Sequence, residues 1–426
     1  MDISALGLQP ALSEAVRRAH GIHLASPVQA QAIPPLLHGQ DALVSAPTGS
    51  GKTLAYGLVL LDRLLRPNTA PSTRASGAAP VRNLVLVPTR ELALQVSQTL
   101  RAISQYLPQL RRVHAVHGGV SINPQMRALL GGSDLLVATP GRLLDLIAHN
   151  ALTLEGVECL VLDEADRMLE LGFADELQQV LARLPGRRQT IFVSATLPPA
   201  ARELAAHLLH APLDIAPETG VEDIPDIAQR AFQVDTNRRT QLLRHLVSTE
   251  KWPRVLVFVA TKLATEIVAD KLRKAGIDAE PFHGELSQGK RNQVLADFKS
   301  SRIKVVVATD VAARGLDIAE LPVVVNYDLP RSTADYTHRI GRTGRAGASG
   351  LAVSFVTADG AAHFSLIQKR HGSGIAMETC AGFEPSEMPT ETSPAQRAAA
   401  GTGGIKGKRP SKKDKLRAAA RHGAAT

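Results

Sequence analysis

Short apolar runs alternate with amphipathic helical patterns along most of this chain. The runs lie at 42–46, 83–88, 134–138, 159–162 and 190–193 in the first half and at 255–259, 305–308, 323–326 and 352–356 in the second. Between them, apolar residues recur at the spacing of one helix face, as in Leu54, Leu58, Leu61 and Leu65. Strands that alternate with helices are typical of a parallel sheet. The pattern predicts an α/β fold with two tandem domains, each a mainly parallel sheet flanked by helices.

Changes in composition indicate where the domains end. Residues 211–228 contain three prolines and five acidic residues without clear periodicity, which is typical of a linker. We place the first domain at 1–215, the linker at 216–228 and the second domain at 229–384. From about Pro385 the chain is rich in Pro, Thr, Ala, Gly and Lys, which predicts a disordered tail over 385–426.

The positive charge of the chain is concentrated in this tail. The net charge is +9, and residues 397–426 hold nine Lys or Arg against one acidic residue, a net of +8. Basic tails bind nucleic acid through counterion release. We therefore predict a polyanion partner for the tail, with a role in solubility alone as the alternative.

The chain lacks the sequence signals of membrane insertion or secretion. Its N-terminal residues do not combine a basic segment with an apolar one, and no apolar run approaches the roughly 18 residues that span a bilayer. Of its two cysteines, Cys159 lies in the apolar run 157–162, which is typical of a buried hydrophobic residue. We expect a cytoplasmic protein without a membrane partner.

A glycine-rich segment follows the first apolar run and precedes a helical pattern. It consists of Ala46, Pro47, Thr48, Gly49, Ser50, Gly51, Lys52 and Thr53. In this context the backbone N–H groups and the helix N-terminus bind phosphates, the lysine reaches the β and γ phosphates, and the threonine hydroxyl binds Mg²⁺. The segment predicts a nucleotide phosphate site, the alternative being a glycine-rich turn without a ligand.

An acidic segment, DEAD at 163–166, directly follows the apolar run 159–162. It is therefore expected at the carboxyl edge of a sheet, where open α/β sheets bind ligands. Paired with Lys52, it predicts that Asp163 holds the Mg²⁺ shell and that Glu164 orients or deprotonates the attacking water. An acidic first helical turn that complements the helix dipole is compatible with this role.

The second half contains the basic segment HRIGRTGR at 338–345. Hydrolysis of a phosphoanhydride needs positive charge where negative charge develops in the transition state, and Arg342 and Arg345 offer it. A basic surface turn is the alternative. If both arginines reach a γ-phosphate bound by the first domain, the site is complete only when the domains close.

Taken together, the ordered motifs resemble the DEAD-box family of ATP-dependent RNA helicases over about residues 5–385. They are, in family order, Gln29, APTGSGKT (46–53), PTRELALQ (88–95), Gly118 and Gly119, TPGR (139–142), DEAD (163–166), SAT (194–196), HGELSQGKR (283–291), ATDVAARGLD (308–317) and HRIGRTGR (338–345). The stretch GGVSINPQM (118–126) and the block AGFEPSE further resemble the RhlE-type branch of bacterial DEAD-box proteins.

The resemblance implies two RecA-like domains with ATP and Mg²⁺ in the cleft and RNA lying across both. It implies that Gln29 reads adenine and that Arg314 and Asp317 join the nucleotide site from the second domain. Residues implied to couple the ATP site to closure are Asp166, Ser194, Thr196 and His338, although Ser194 and Thr196 could instead cap the next helix. Residues implied to contact the RNA backbone are Pro88, Thr89, Arg90, Gly119, Thr139, Gly141, Arg142, His283, Gly284, Gln288, Arg291 and Thr309. Several of these residues also suit turns and helix caps.

Two positions depart from the family pattern. Ile22 and Ile3 stand where the family usually has aromatic rings. Because an aliphatic side chain covers an adenine face without ring stacking, we expect weaker ATP binding or looser base selection.

The expected activity is RNA-stimulated ATP hydrolysis with local unwinding or remodelling of RNA duplexes and RNA–protein complexes. Two alternatives stay open, namely a DNA-directed motor of superfamily 2 and an ATP-gated RNA clamp with little unwinding. Family analogy suggests ribosome assembly or RNA turnover as the setting.

Overall fold

The computed structural model describes residues 1–47, 49–66, 79–107, 110, 112–216, 227–313, 321–344, 349–372 and 374–388. Predictions made for Thr48, Arg314, Asp317, Arg345 and most of the basic tail, 389–426, lie outside these described residues.

The first domain is a parallel sheet with helices on both faces. Its strands are β1 (Ala42–Ser45), β2 (Ala79–Leu86), β3 (Val113–Val116), β4 (Ser133–Ala138), β5 (Leu152–Thr153), β6 (Cys159–Leu162), β7 (Gln189–Ser194) and β8 (Leu213–Ile215). Its helices are a short 3-10 helix (Ile3–Leu6), α1 (Pro10–His20), α2 (Pro27–Leu37), α3 (Lys52–Leu65), α4 (Arg90–Ser104), α5 (Ile122–Leu129), α6 (Pro140–Ala148), α7 (Ala165–Glu170), α8 (Ala174–Leu181) and α9 (Pro199–Leu208). The strands run in the order β3-β4-β2-β6-β7-β1-β8, with β5 beside β2.

The second domain repeats this architecture. Its strands are β9 (Ile227–Gln233), β10 (Val255–Val259), β11 (Ala279–Phe282), β12 (Val305–Thr309), β13 (Val323–Asn326), β14 (Gly350–Val356) and β15 (Met377–Glu378). Its helices are α10 (Arg239–Thr249), α11 (Lys262–Lys274), α12 (Gln288–Lys299), α13 (Asp310–Ala313), α14 (Thr333–Ile340) and α15 (Ala361–His371). The parallel strands run in the order β11-β12-β10-β13-β14-β9-β15.

The two sheets have the same topology. When the strands of each path are ranked along the chain, both sheets give the order 3-4-2-5-6-1-7. This confirms the predicted α/β fold with two tandem, mainly parallel sheets.

Each central strand supplies apolar side chains to two layers of core. In β6, Cys159 and Val161 pack into the layer that includes helices α1 to α4, whereas Leu160 and Leu162 pack into the layer on the opposite face. Successive side chains of a strand point to opposite faces, so a strand covered on both faces is apolar throughout. Burial also raises the pKa of the Cys159 thiol to about 12, as expected for a cysteine that acts as a buried hydrophobic residue.

The predicted linker is shorter in the structure than composition suggested. Strand β8 lies inside the segment 211–228 and pairs with β1, and β9 begins at Ile227, within the predicted linker of 216–228. Single strands with one exposed face carry few apolar residues, so composition alone did not reveal them. Residues 217–226 lie outside the described part of the chain.

The end of the second domain also differs from the prediction, which placed the tail at 385–426. Residues 374–388, here called the C-terminal strap, fold back onto the second domain, and β15 extends the sheet beside β9. The backbone N–H groups of Ser386 and Glu387 donate to Asp235 over 2.8 and 2.9 Å. The strap also packs Ile375, Cys380 and Phe383 against the second-domain core. These few apolar residues are separated by polar ones, which is why the end of the strap resembled a disordered tail in composition.

None of the helices in the described part of the chain is long and apolar enough to cross a bilayer.

Candidate nucleotide and nucleic-acid site

The predicted site residues of the first domain follow two groups of neighbouring strands. Those predicted to handle the nucleotide follow β1, β6 and β7, which are adjacent in the sheet. Those predicted to contact RNA follow β2, β3 and β4, which are adjacent at the other end. In the second domain, His283 follows β11 and Thr309 ends β12, again neighbouring strands. The topology therefore separates a nucleotide region from an RNA region along one sheet edge.

The glycine-rich loop is built around backbone conformations that favour glycine. Gly49 has φ +86° and Gly51 has φ +94°. A Cβ added to Gly51 would lie 2.5 Å from the Gln29 side-chain nitrogen, so a larger residue would clash as well as strain the backbone. The loop then passes directly into α3, which begins at Lys52.

Lys52 is held inside the loop by backbone oxygens. Its side chain is buried, and the ammonium donates to the Ala46 carbonyl and, over 2.7 Å, to the Pro47 carbonyl. A buried cation at a helix N-terminus, next to glycine turns, is suited to bind the phosphates of a nucleotide.

Gln29 connects the start of α2 to this loop. Its side-chain nitrogen donates to the Gly51 carbonyl over 3.2 Å, and its side-chain oxygen accepts from the Ser26 N–H over 3.0 Å. The predicted adenine reader thus also supports the phosphate loop. Ile22 is partly buried against the core of the first domain, whereas Ile3 is fully buried within it.

Asp163 is a buried carboxylate with a donor on each oxygen. Its Oδ2 accepts from the Tyr56 hydroxyl over 2.7 Å, and its Oδ1 accepts from the Glu164 N–H over 2.9 Å. Burial raises the pKa of Asp163 and of Glu164. Neighbouring carboxylates raise both pKa values further, since Asp166 acts on Asp163, and Asp163 and Asp166 act on Glu164. A divalent cation would offset this concentration of buried negative charge.

The residues present fit a magnesium ion that arrives with a nucleotide. Mg²⁺ is usually held by one or two carboxylates together with water and substrate phosphates, and Asp163 lies beside the phosphate loop that carries Thr53. Over the part of the chain described, no group of three or more His, Cys, Asp or Glu residues could hold a metal by itself.

Glu164 has a strained backbone at the junction of β6 and α7. Its φ is +51°, in the left-handed region that non-glycine residues rarely adopt. Arg342 from the second domain and Lys52 from the first both lower its pKa, against the larger effects of burial and of Asp163. Glu164 therefore lies in the electrostatic field of both domains.

The predicted coupling residues of the first domain contact one another. Asp166 accepts hydrogen bonds from the Thr196 N–H, over 3.2 Å, and from the Thr196 hydroxyl. The Ser194 hydroxyl donates to the Thr196 carbonyl. The end of β7 is thereby joined to the start of α7, next to Glu164.

Charged groups of α14 and the turn after it meet the first domain. Arg167 of the first domain forms an ion pair with Asp335 at 3.0 Å and is almost fully buried. Arg167 also lines a small cavity of about 20 Å³ together with second-domain residues that include His338 and Arg342. Burial, followed by Arg167 and Arg342, lowers the pKa of His338 to about 3, so this imidazole is neutral near pH 7.

The RNA region of the first domain contains an incompletely paired guanidinium. Arg142, in the first turn of α6, donates to the Val120 carbonyl over 2.8 Å, and its Nε lies 3.5 Å from Asp145. Its Nη1 is buried without a hydrogen-bond partner among the described residues. A guanidinium that keeps an unused donor suits phosphate oxygens. Thr139 precedes α6 as its N-cap, and Gly141 lies in its first turn.

Other predicted RNA residues of the first domain lie around α4. Thr89 caps α4 by accepting from the Leu92 N–H over 3.3 Å, and it follows the buried Pro88. Arg90 donates to Glu91 over 2.6 Å. Gly119 has φ +80°, and a Cβ there would lie 2.7 Å from the Arg90 guanidinium, so glycine permits this close approach.

The predicted RNA residues of the second domain differ in their surroundings. The His283 ring contacts Glu266 at 2.8 Å, and the Gln288 side-chain oxygen is buried without a hydrogen-bond partner among the described residues. The backbone at Gly284 has open space where a Cβ would stand. Arg291 is buried and lies 2.8 Å from Glu91 of the first domain, so it links the two domains in this arrangement.

Sequence analysis missed Tyr56 and Arg167. Tyr56 lies four residues after Lys52, one turn along the same helix face, and this spacing could have identified it. Arg167 and Asp335 are 168 residues apart, so no local pattern could have paired them.

Two family models match the chain. The model for the DEAD/DEAH box helicase matches residues 26–204, and the model for the helicase conserved C-terminal domain matches residues 238–347.

Bacterial relatives are similar over most of this chain. The DEAD-box ATP-dependent RNA helicase CshA of Bacillus cereus is 40% identical over 83% of this chain and 65% of its own length. The protein of the same name from Geobacillus kaustophilus is 39% identical over 83% of this chain and 73% of its own length. The chain therefore spans somewhat less than two thirds of the Bacillus relative.

Solved structures share the two-domain architecture. Dbp5 of S. cerevisiae, bound to RNA and ADP BeF3, is 30% identical with a TM-score of 0.75, covering 89% of this chain and 95% of that one. Mss116p bound to ssRNA and AMP-PNP is 26% identical with a TM-score of 0.78, covering 91% of this chain and 80% of that one. These matches confirm the predicted pair of RecA-like domains.

Proposed function

This chain belongs to the DEAD/DEAH box helicase family, and from that premise we propose that it is an ATP-dependent RNA helicase. It hydrolyses ATP in an RNA-stimulated manner and locally unwinds or remodels RNA duplexes and RNA–protein complexes.

The observation that carries the proposal is that groups of both domains meet beside the carboxylates at the end of β6. Arg167, three residues after Glu164, pairs with Asp335 of the second domain at 3.0 Å and lines the same small cavity as Arg342. In agreement with this geometry, Arg342 and Lys52 both lower the pKa of Glu164. In the proposed reaction, Lys52 binds the phosphates, Glu164 orients or deprotonates the attacking water, and Arg342 stabilises the negative charge of the transition state. Mg²⁺, held beside Asp163 and Thr53, would supply charge neutralisation at the phosphates.

Contacts between the domains explain how RNA could stimulate hydrolysis. Arg342 can act on the nucleotide only while the domains are closed, and two buried ion pairs, Arg167 with Asp335 and Arg291 with Glu91, connect the domains in that arrangement. RNA that lies across both domains would favour closure because it contacts both. Hydrolysis would then depend on RNA.

Recognition of RNA would rest mainly on its backbone. Nη1 of Arg142 has no hydrogen-bond partner among the described residues, so this donor can bind a phosphate oxygen. Aromatic residues form only 3% of the chain, so platforms for base stacking are scarce. We therefore propose low sequence specificity. The predicted preference for RNA over DNA, the setting in ribosome assembly or RNA turnover, and the cytoplasmic location stay predictions.

Steady-state ATP hydrolysis tests the proposal directly. The rate is measured without nucleic acid, with RNA and with DNA of matched sequence, using Glu164→Gln as the inactive control. We expect stimulation by RNA only and a rate that depends on Glu164. Equal stimulation by DNA would favour a DNA-directed motor, and absence of stimulation would contradict coupling between the domains.

Strand displacement distinguishes unwinding from clamping. With a short RNA duplex, a helicase releases one strand in an ATP-dependent reaction, whereas an ATP-gated clamp binds stably and leaves the duplex intact. We expect release, and its absence despite RNA-stimulated hydrolysis would replace the proposed activity with the clamp.

The basic tail is proposed to tether RNA near the domains. A basic segment joined to the domains raises the local concentration of RNA without adding specificity. Truncation after Met388, which keeps the C-terminal strap, should weaken RNA binding far more than ATP binding. Equal RNA affinity of the truncated and full chains would refute this role.

A further inference from the structure

Tyr56 places a polar group inside the core of the first domain. It lies on α3, its side chain is fully buried, and its ring belongs to the core layer that includes helices α1 to α4. A phenylalanine ring would fill nearly the same volume without the need for a hydrogen-bond partner. The hydroxyl is therefore the part of this residue that needs an explanation.

The hydroxyl reaches the carboxylate at the end of β6. It donates to Asp163 Oδ2 over 2.7 Å, a bond between residues 107 positions apart in the chain. Thr53 lies three residues before Tyr56 on α3. Tyr56 thus links the helix that carries Thr53 to the carboxylate of Asp163, and these are the two residues proposed to surround Mg²⁺.

The other hydrogen bond of Asp163 shows that the Tyr56 hydroxyl helps to fix the orientation of the carboxylate. Its other oxygen, Oδ1, accepts from the Glu164 N–H over 2.9 Å. With one donor on each oxygen, coming from two different elements of the fold, the carboxylate cannot rotate freely about its χ2 angle. Each oxygen keeps a further lone pair that can face a cation or its bound water.

We propose that Tyr56 is a positioning residue that orients the Asp163 carboxylate toward the magnesium ion of a bound nucleotide. This inference rests on the proposed function, because it assumes a Mg²⁺-bound nucleotide at the phosphate loop. Replacing a partner that orients a metal ligand typically lowers metal affinity by about 10- to 100-fold.

Replacing Tyr56 by phenylalanine tests the proposal. The affinity for a fluorescent ATP analogue is measured as a function of Mg²⁺ concentration and again in excess EDTA. We expect Tyr56→Phe to need about tenfold more Mg²⁺ for half-maximal binding, with unchanged affinity in EDTA. The rate of ATP hydrolysis by the variant should recover as Mg²⁺ is raised.

A matched control removes a comparable hydroxyl elsewhere. The buried Tyr327 contacts Thr240 at 2.9 Å in the second domain, so Tyr327→Phe loses one tyrosine hydrogen bond at a site that holds no proposed Mg²⁺ residue. It should keep the Mg²⁺ dependence of the unaltered protein. Thermal unfolding of both variants shows whether they fold equally well.

Further outcomes separate this inference from the function on which it rests. If the unaltered protein binds the analogue without any Mg²⁺ dependence, the proposed magnesium site itself fails. If binding by the unaltered protein depends on Mg²⁺ and Tyr56→Phe needs the same Mg²⁺ concentration for half-maximal binding, positioning by Tyr56 is overturned. The same conclusion follows if the variant loses affinity equally in EDTA. Mn²⁺ bound to the nucleotide complex, followed by electron paramagnetic resonance, gives a second measure of metal affinity that does not rely on hydrolysis.

Discussion

The two sheets have the same topology, but corresponding strands are followed by different residues in the two domains. In the first domain, β1 is followed by the glycine-rich loop and Lys52, whereas in the second domain the strand of equal rank, β9, is followed by Val234 and Asp235. Asp235 accepts hydrogen bonds from the C-terminal strap. A carboxylate at this position would repel phosphates, and the strap already uses its hydrogen-bonding capacity. Topology therefore prepares a ligand-binding edge in both domains, and a few residues decide which edge binds a nucleotide.

This comparison assigns different tasks to the domains. The first holds the phosphate loop and the carboxylates at the end of β6, while the second contributes charge through Arg342 and contacts through Asp335. Changes in the first domain should therefore alter nucleotide binding, and changes in the second should alter turnover with binding intact.

Removing Arg342 should have the largest effect of the second-domain changes. If Arg342 acts in the transition state, Arg342→Ala lowers kcat by about 10³-fold and leaves the affinity for ATP nearly unchanged. Rapid-mixing kinetics and fluorescent nucleotide binding measure the two quantities. A loss of affinity as large as the loss of kcat would show that this arginine serves ground-state binding.

Breaking the ion pair between Arg167 and Asp335 should have a smaller effect. Asp335→Asn removes one charge of a pair that joins the domains at 3.0 Å, and we expect about a tenfold lower RNA-stimulated rate. ATP binding in the absence of RNA should not change. An unchanged RNA-stimulated rate would mean that this pair forms without contributing to closure.

Acid should weaken closure through His338. Its pKa is lowered from 6.5 to about 3 by burial and by the positive charges of Arg167, Arg342 and Lys52, with Asp335 acting in the opposite direction. Because the pKa of His338 is lower in the closed arrangement, protonation of this imidazole favours the open arrangement. The equilibrium constant for closure should therefore be constant above pH 6.5 and should fall by up to about tenfold per pH unit below it.

Energy transfer between dyes on the two domains, with RNA and an ATP analogue bound, measures this opening. His338→Gln removes the titrating group and should flatten the response between pH 6.5 and 5. The same pH dependence in the variant would assign the effect to another group.

The smallest effect on catalysis is expected for Asp235, the counterpart of the phosphate loop. Asp235→Ala removes the acceptor for Ser386 and Glu387 and should lower the Tm of the second domain by about 2–4 °C. ATP hydrolysis at low temperature should stay within about twofold of the original rate, because distant changes act independently. Calorimetry and the ATPase assay measure both quantities, and a large loss of activity at unchanged Tm would contradict a structural role.

The sequence predicted central strands better than edge strands, for a physical reason. Strand β6 is covered on both faces, so its four residues are all apolar and visible as a run. Strand β11 contains Glu280 and Pro281, residue types that are uncommon in strands. Its four residues therefore do not form a visible apolar run. The same holds for β8, which lies at the end of the predicted first domain but was not recognised as a strand.

The candidate site shows a similar division. Short motifs located Lys52, Asp163 and Glu164 because their chemistry depends on neighbours within a few positions. The Tyr56 hydroxyl and the Arg167–Asp335 pair depend on partners that the fold brings together from 107 and 168 positions away. Such contacts require the topology of the sheets and the closed arrangement of the domains.

The burial of the ion pairs between the domains has a consequence for ionic strength. The side chains of Arg167 and Arg291 are 2% and 4% exposed, so dissolved salt screens these pairs much less than it screens charges at the surface. Contacts with a nucleic-acid backbone, in contrast, weaken steeply as salt is added. Moderate salt should therefore release RNA from this protein before it disrupts the contacts that join its domains.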